Sequence, residues 1–167
     1  MLQPKTKTEA RPDGRRTRGE DNRRKIVNAL LALVERGGVS PSAEEVAAVD
    51  DALRTLIDDM FDTMAAFSGV GLAANQVGIA RRVAVVNAEG QTLTMINPRV
   101  VEAEGREIKE EGCLSIPEIY GEVTRPERVV LEALDEDGAP YRLETNGLVA
   151  RAIQHEIDHL DGILFID

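Results

Sequence analysis

Gln154-His155-Glu156-Ile157-Asp158-His159-Leu160-Asp161-Gly162 is the stretch from which the rest of this chain can be read. The 167 residues contain only two histidines, and both fall here, four apart, with Glu156 beside the first. On an α-helix, residues i and i+4 leave the same face with Cβ atoms about 5–6 Å apart. Two imidazoles so placed can reach one metal ion, at roughly 2.0–2.1 Å from each ring nitrogen for zinc. Glu156, one step past the first ring, then stands as a base toward the attacking water. The competing reading is a pair of surface histidines on a charged helix, and this stretch alone does not decide between the two.

A site with two histidines needs a further ligand. The single cysteine of the chain is Cys113, within Glu111-Gly112-Cys113-Leu114-Ser115. A lone cysteine is commonly an inert core residue, yet the glycine before it and the serine two residues on suggest an irregular, exposed segment. One thiolate and two imidazoles leave a fourth position open, as catalytic metal sites do and structural ones do not. A third segment, Gly69-Val70-Gly71-Leu72-Ala73-Ala74-Asn75-Gln76, joins two glycines to small residues. Such a backbone can approach a ligand closely. No strand pattern precedes these glycines and no third one has the required spacing, so a dinucleotide fingerprint is excluded. A plain helix-to-strand turn is the other reading.

Together the three segments resemble the peptide deformylases, a family recognised by Gly-φ-Gly-φ-Ala-Ala-x-Gln, Glu-Gly-Cys-φ-Ser and Gln-His-Glu-φ-Asp-His-Leu-x-Gly. All three stand here without a mismatch and in the family's order, at residues 69–76, 111–115 and 154–162. The resemblance covers about residues 48–167. It implies an α+β fold with small antiparallel sheets packed around a metal-binding C-terminal helix. The implied activity is hydrolytic removal of the formyl group from the N-terminal formyl-methionine of nascent polypeptides.

The resemblance also implies roles. Cys113, His155 and His159 hold the metal. Glu156 takes a proton from water and delivers it to the leaving amine. The side-chain amide of Gln76 and the backbone N–H of Leu114 stabilise the oxyanion. Gly71 and Glu111 serve substrate binding, Gly71 along the peptide backbone. Fe²⁺ is the ion expected from the family, and Zn²⁺, Ni²⁺ or Co²⁺ suit the same donors. Asp158 is expected to pair with Arg125 or Arg128, or to orient a ligand. Lys109 and Arg151 fall near positions that line the methionine pocket in relatives, and their charged ends are expected to snorkel outward.

Composition narrows the class further. The length suits one domain with a real core. With no Trp and only five other aromatics, that core must be aliphatic. One cysteine excludes a disulfide framework within the chain. No apolar run approaches the 18 residues of a membrane span, and no secretory signal opens the chain. A cytoplasmic protein, acting as a monomer on a formylated nascent peptide and not on a membrane, is therefore expected. Residues 1–25 carry nine Lys/Arg against four Asp/Glu, so the remaining 142 carry −15 of a total of −10. The basic start reads as a solvated tail, with ribosomal RNA as its alternative partner. The acidic body speaks against nucleic acid as substrate, and no specific DNA is expected as a partner.

Residues 1–47 are read as an atypical N-terminal segment and 48–167 as the catalytic domain. Within the first, residues 23–46 loosely resemble the first two helices of a TetR-type domain, without its recognition helix. Ordinary deformylases start with a short strand and an Asp-Pro-x-Leu-Arg-type segment, neither of which is visible here. Leu53, Leu56, Ile57, Met60, Met64 and Phe67 form the stripe of an amphipathic helix. Strands are expected at 82–86, 93–96 and 100–101, with turns at Glu89-Gly90 and Asn97-Pro98. A hairpin is expected to join 123–134 to 141–144, and Thr145-Asn146-Gly147 to open the last helix. On that helix Leu148, Ala152, Ile153, Ile157 and Leu160 are assigned the buried side. Two other readings stay open: a general zinc endopeptidase, and a non-catalytic deformylase-like binder of metal or of a ribosomal surface.

Overall fold

A computed structural model describes residues 49–167. The basic tail, the TetR-like helices and the boundary at residue 47 lie outside the described residues. The first element, α1 (Asp51–Ala66), begins where Asp50 Oδ1 accepts the Leu53 N–H at 2.7 Å. Such a cap satisfies one of the donors that a helix start leaves orphaned. A short strand, β1 (Gly71–Ala73), and a 3₁₀ turn (Ala74–Val77) follow. The strands β2 (Val83–Ala88), β3 (Gln91–Glu104), β4 (Glu107–Cys113), β5 (Ile116–Arg125), β6 (Arg128–Leu134) and β7 (Pro140–Asn146) lead into α2 (Gly147–Leu160).

Two antiparallel sheets result: five strands in the order β1-β2-β3-β6-β7, and the separate pair β4-β5. The larger sheet is sandwiched between the helices. Successive side chains of a strand point to opposite faces. Thus Ala84, Val86 and Ala88 of β2 pack with Val149, Ile153 and Leu160 of α2. Val83 and Val85 pack with Leu53, Ile57, Met60 and Met64 of α1. Burial on both faces is why Val83-Ala84-Val85-Val86 is an unbroken apolar run. The methionine stripe of α1 is core, as its spacing predicts, except that Phe67 lies half-exposed beyond the helix end. Among the described residues no helix is long and apolar enough to cross a membrane.

Three local expectations need correction. Asn97-Pro98 does not end a strand; it sits in a bulge of the long β3, with Asn97 at φ 52 and the register shifting between Ile96 and Arg99. Asn tolerates that left-handed backbone. Val123 belongs with β5, whose partner is β4, so the expected 123–134 strand is two strands broken at Pro126-Glu127. Its latter half does pair with β7, across a loop where Asp135 Oδ1 accepts the N–H groups of Asp137 and Ala139. Third, Leu148 is half-exposed, and Val149 and Ala150 take the buried places on α2 instead. Glu89 and Gly90, both at positive φ, form the two-residue β2–β3 turn that the sequence predicts. Primed turns of that kind match the twist of the strands they join.

Candidate active site

The far end of α2 carries the histidines. His155 and His159 come off one face, one turn apart, with Nε2 atoms 3.1 Å from each other. Gly162 stops the helix in the left-handed region at φ 77, with Gly162 N–H donating to His159 O and Ile163 N–H to Asp158 O. This paired closure satisfies the last carbonyls and explains the glycine that ends the motif. Asn75, in the 3₁₀ turn, donates its side-chain amide to the His159 carbonyl, tying the glycine-rich segment to the ligand helix.

Cys113 arrives at the end of β4, where the register with β5 breaks. Its Sγ lies 3.1 Å from His159 Nε2, and the three donor atoms of Cys113, His155 and His159 fall within 4.8 Å of one another. Tetrahedral coordination by two nitrogens and a sulfur calls for edges of about 3.3–3.6 Å at ordinary bond lengths. Two edges of 3.1 Å lie just below that range and the 4.8 Å span lies above it, so a side-chain shift of about 1 Å closes the cluster on one metal ion. Electrostatics set the two rings apart. Burial pushes the His155 imidazolium down, but hydrogen bonding to Cys113 and Glu111 outweighs it and carries the group up to about 10. Positive charge is favoured at this point. His159 behaves oppositely: burial, with the charges of His155 and Arg125, holds it down to about 3, leaving its ring neutral, as ligation requires.

Glu156 is buried against β1, and its Oε2 has no hydrogen-bond partner among the described residues. Burial drives its carboxyl up to about 7, against the opposing charges of His155 and Arg125. Gly71 makes room for it: a Cβ on Gly71 would stand 2.3 Å from Glu156 Oε1 and 2.8 Å from its Cγ. Gln76 is also buried, with Oε1 accepting the Ala73 N–H at 2.7 Å. That contact turns its NH₂ toward Ser115 Oγ at 3.1 Å and Cys113 Sγ at 3.6 Å. Ser115 also directs its backbone N–H at Cys113 Sγ, 3.4 Å away. Holding the Gln76 amide is a function of Ser115 that the sequence reading missed, although the serine stands inside a quoted motif.

A cavity of about 650 Å³ opens on this cluster, lined by Phe67, Val70, Leu148, Ala152, Tyr120 and others, and by Gly71, Gln76, Cys113, Leu114, His155 and Glu156. Every expected site residue except His159 lines it; His159 lies beneath, 1% exposed. Glu111, expected to bind substrate, lines the cavity too, but its carboxylate is already engaged. Oε2 lies 2.9 Å from His155 Nδ1, while Arg125 donates to Oε1 at 2.6 Å and to Oε2 at 3.0 Å. Arg151 donates to Oε1 at 2.6 Å. Burial raises the Glu111 carboxyl, yet the hydrogen bonds from His155 and Arg125 prevail and bring it to about 2. The Glu111 carboxylate thus faces His155 and two arginines.

Asp158 pairs with Arg125 at 2.7 Å, and Arg128 turns instead to Glu104 and Glu144. Lys109 points outward and pairs with Glu107. Arg151 does not snorkel: it is 6% exposed, with its guanidinium directed inward.

Comparison with known proteins agrees with this geometry. The polypeptide deformylase family model matches residues 38–167. The chain belongs to the peptide deformylase family. It is a metal-dependent hydrolase that removes the formyl group from an N-terminal formyl-methionine. A peptide deformylase of Acetivibrio thermocellus is 52% identical over 125 residues, covering 75% of this chain and 74% of its own length. Peptide deformylase 1 of Bacillus subtilis is 48% identical over 125 residues, covering 74% of this chain and 78% of its own. Among solved structures, a deformylase of Synechococcus elongatus in complex with actinonin superposes with a TM-score of 0.74 at 47% identity, covering 77% of this chain and 71% of its own. The family match begins at residue 38, so part of the segment read as TetR-like (residues 38–46) belongs with the deformylase family, and that resemblance is not supported.

Proposed function

We propose that Cys113, His155 and His159 hold one divalent ion, Fe²⁺ by family resemblance, in a deformylase acting as a monomer on nascent chains. The observation that carries these roles is the convergence of those three donors beside a buried glutamate oxygen that has no partner. When bound, the ion supplies Lewis acidity, polarising the formyl carbonyl and making water acidic near neutral pH.

The chain's own groups do the rest. Glu156, held at about 7 by burial, takes the proton of the attacking water and passes it to the departing amine. Gln76 faces the developing oxyanion with an NH₂ whose orientation is locked by Ala73 N–H. Leu114 contributes its backbone N–H to the same charge, and loss of one such donor typically costs about 2.7–4 kcal/mol of barrier. Gly71, packed against Glu156 where both line the cavity, lets the peptide backbone run against β1. Phe67, Val70, Leu148 and Tyr120 give the cavity an apolar wall suited to a methionine side chain.

The test is formate release from formyl-Met-Ala-Ser by protein loaded with Fe²⁺ or Ni²⁺ under reducing, anaerobic conditions. Activity well above a Glu156→Ala control is expected; none above that control sinks the assignment. The zinc-endopeptidase reading finds no third histidine or glutamate in the ligand cluster. A non-catalytic binder is not favoured, because Glu156 keeps its place beside the ligands.

A further inference from the structure

We infer that Arg151 is a positioning residue for the metal centre, acting through Glu111 on His155. The inference rests on the ligand set proposed above. Arg151 lies outside all three motif segments, and from its charge alone it was expected to face solvent. Instead its NH1 donates to Glu111 Oε1 at 2.6 Å and to Val123 O at 3.2 Å, and its NH2 donates to Glu107 O at 3.1 Å. One guanidinium on α2 therefore grips β4 through Glu107 and Glu111, and β5 through Val123.

The consequence for the site follows from what Glu111 does next. Its Oε2 stands 2.9 Å from His155 Nδ1, so the carboxylate sets the ring's tautomer and angle while Nε2 faces the donor cluster. A carboxylate with one cation partner can rock about that contact. Here Oε1 is shared by Arg125 at 2.6 Å and Arg151 at 2.6 Å, from opposite elements, β5 and α2. The Arg125 fork on both oxygens and the Arg151 NH1 donor on Oε1 together fix the carboxylate plane. A guanidinium is suited to this because its donors diverge in a rigid plane, whereas an ammonium is a point charge. Removing such outer partners of a ligating histidine typically costs 10–100-fold in metal affinity or activity.

Position on the helix gives Arg151 a second duty. Leu148, Arg151, Ala152 and His155 all line the cavity, at helical spacing of 3, 4 and 7 from the first. The arginine stem is thus part of the wall, and its charge is neutralised behind that wall by Glu111. Positioning and wall-building predict different kinetics, which separates them.

The experiment follows the rate at which a chelator strips Zn²⁺ from the loaded, full-length protein, in parent and Glu111→Gln backgrounds. Arg151→Met keeps an unbranched stem of similar bulk and removes the fork. It should speed stripping 10–100-fold in the parent and less than twofold in Glu111→Gln. It should also lower kcat of the reloaded enzyme more than it raises KM. Arg151→Lys restores charge without the fork and should fall between Met and Arg, which keeps the test decisive if the Met variant does not fold. Equal effects in both backgrounds, or a Lys variant stripped at the parent rate, would overturn the inference. A His155→Ala control distinguishes the failures: if that variant keeps full metal, the ligand set itself is wrong.

Discussion

Gly71 and Glu156 share a space that admits no side chain on the first: a Cβ there would lie 2.3 Å from Glu156 Oε1 and 2.8 Å from Cγ. Because Cγ, and not merely the carboxylate tip, is in the way, the whole glutamate side chain must swing. Gly71→Ala should therefore displace the proton-transfer group while leaving Cys113, His155 and His159 intact. A misplacement of about 1 Å can cost on the order of 10²-fold in rate. Metal content equal to the parent, with kcat down by about that factor, is the expected result. Unchanged kcat would mean that Glu156 need not sit where the structure puts it.

How much of this could be read in the sequence depends on how local each relationship is. The paired histidines follow from helix periodicity alone, and the Gly162 stop from backbone conformation at one residue. Gly69-Val70-Gly71 signals close approach, but not that Glu156, on a distant helix, is what approaches. Arg151 was misjudged for the same reason. Its charge is visible in the sequence, whereas its partner Glu111 is separated by 40 residues and is brought near only by the β4–α2 packing. The β5–β6 break was hidden because Val123 and Val129-Val130-Leu131 share a strand-like composition. Pro126 was the available signal, since proline removes a ladder donor.

Arg125 joins two carboxylates that would otherwise be buried or half-buried near the ligand helix, Glu111 on one side and Asp158 on the other. Breaking a buried pair by deleting one partner strands the other charge, a loss typically of about 3–5 kcal/mol. Because Arg151 and His155 still hold Glu111, Arg125→Met should cost less than that, about 1–3 kcal/mol, in urea unfolding of the metal-free protein. Combining it with Glu111→Gln should recover part of the loss. A single variant within about 0.5 kcal/mol of the parent would show that water reaches these carboxylates.

Tyr141 offers a pH probe remote from the ligands. Its hydroxyl donates to Thr94 O at 2.8 Å, and burial, reinforced by the charges of Asp135 and Glu136, pushes its phenol up to about 12. The ordinary value is about 10. Since the folded state holds this proton more tightly than the unfolded one, the contribution is complete below about pH 10 and is lost as pH rises toward 12. Stability should decline across that alkaline window in the parent and decline less in Tyr141→Phe. Below it, the variant should be weaker by about 1 kcal/mol for the missing hydrogen bond. Identical alkaline profiles would rule out a buried, protonated phenol.

Holding the metal and using it fall to different residues. Cys113 Sγ and the two imidazole nitrogens converge within 4.8 Å, while Glu156 stays buried beside them with one oxygen lacking a partner. Cys113→Ala leaves two histidines on one helix face, too few donors to close a site, so both metal and activity should fall away. Glu156→Ala leaves all three donors and should retain stoichiometric metal while activity drops 10²–10⁴-fold, the usual worth of general acid–base help. Elemental analysis beside formate release reads both quantities from the same samples. Full metal in Cys113→Ala would place the ion elsewhere. Depleted metal in Glu156→Ala would make that glutamate a ligand and leave the proton transfer without a residue to perform it.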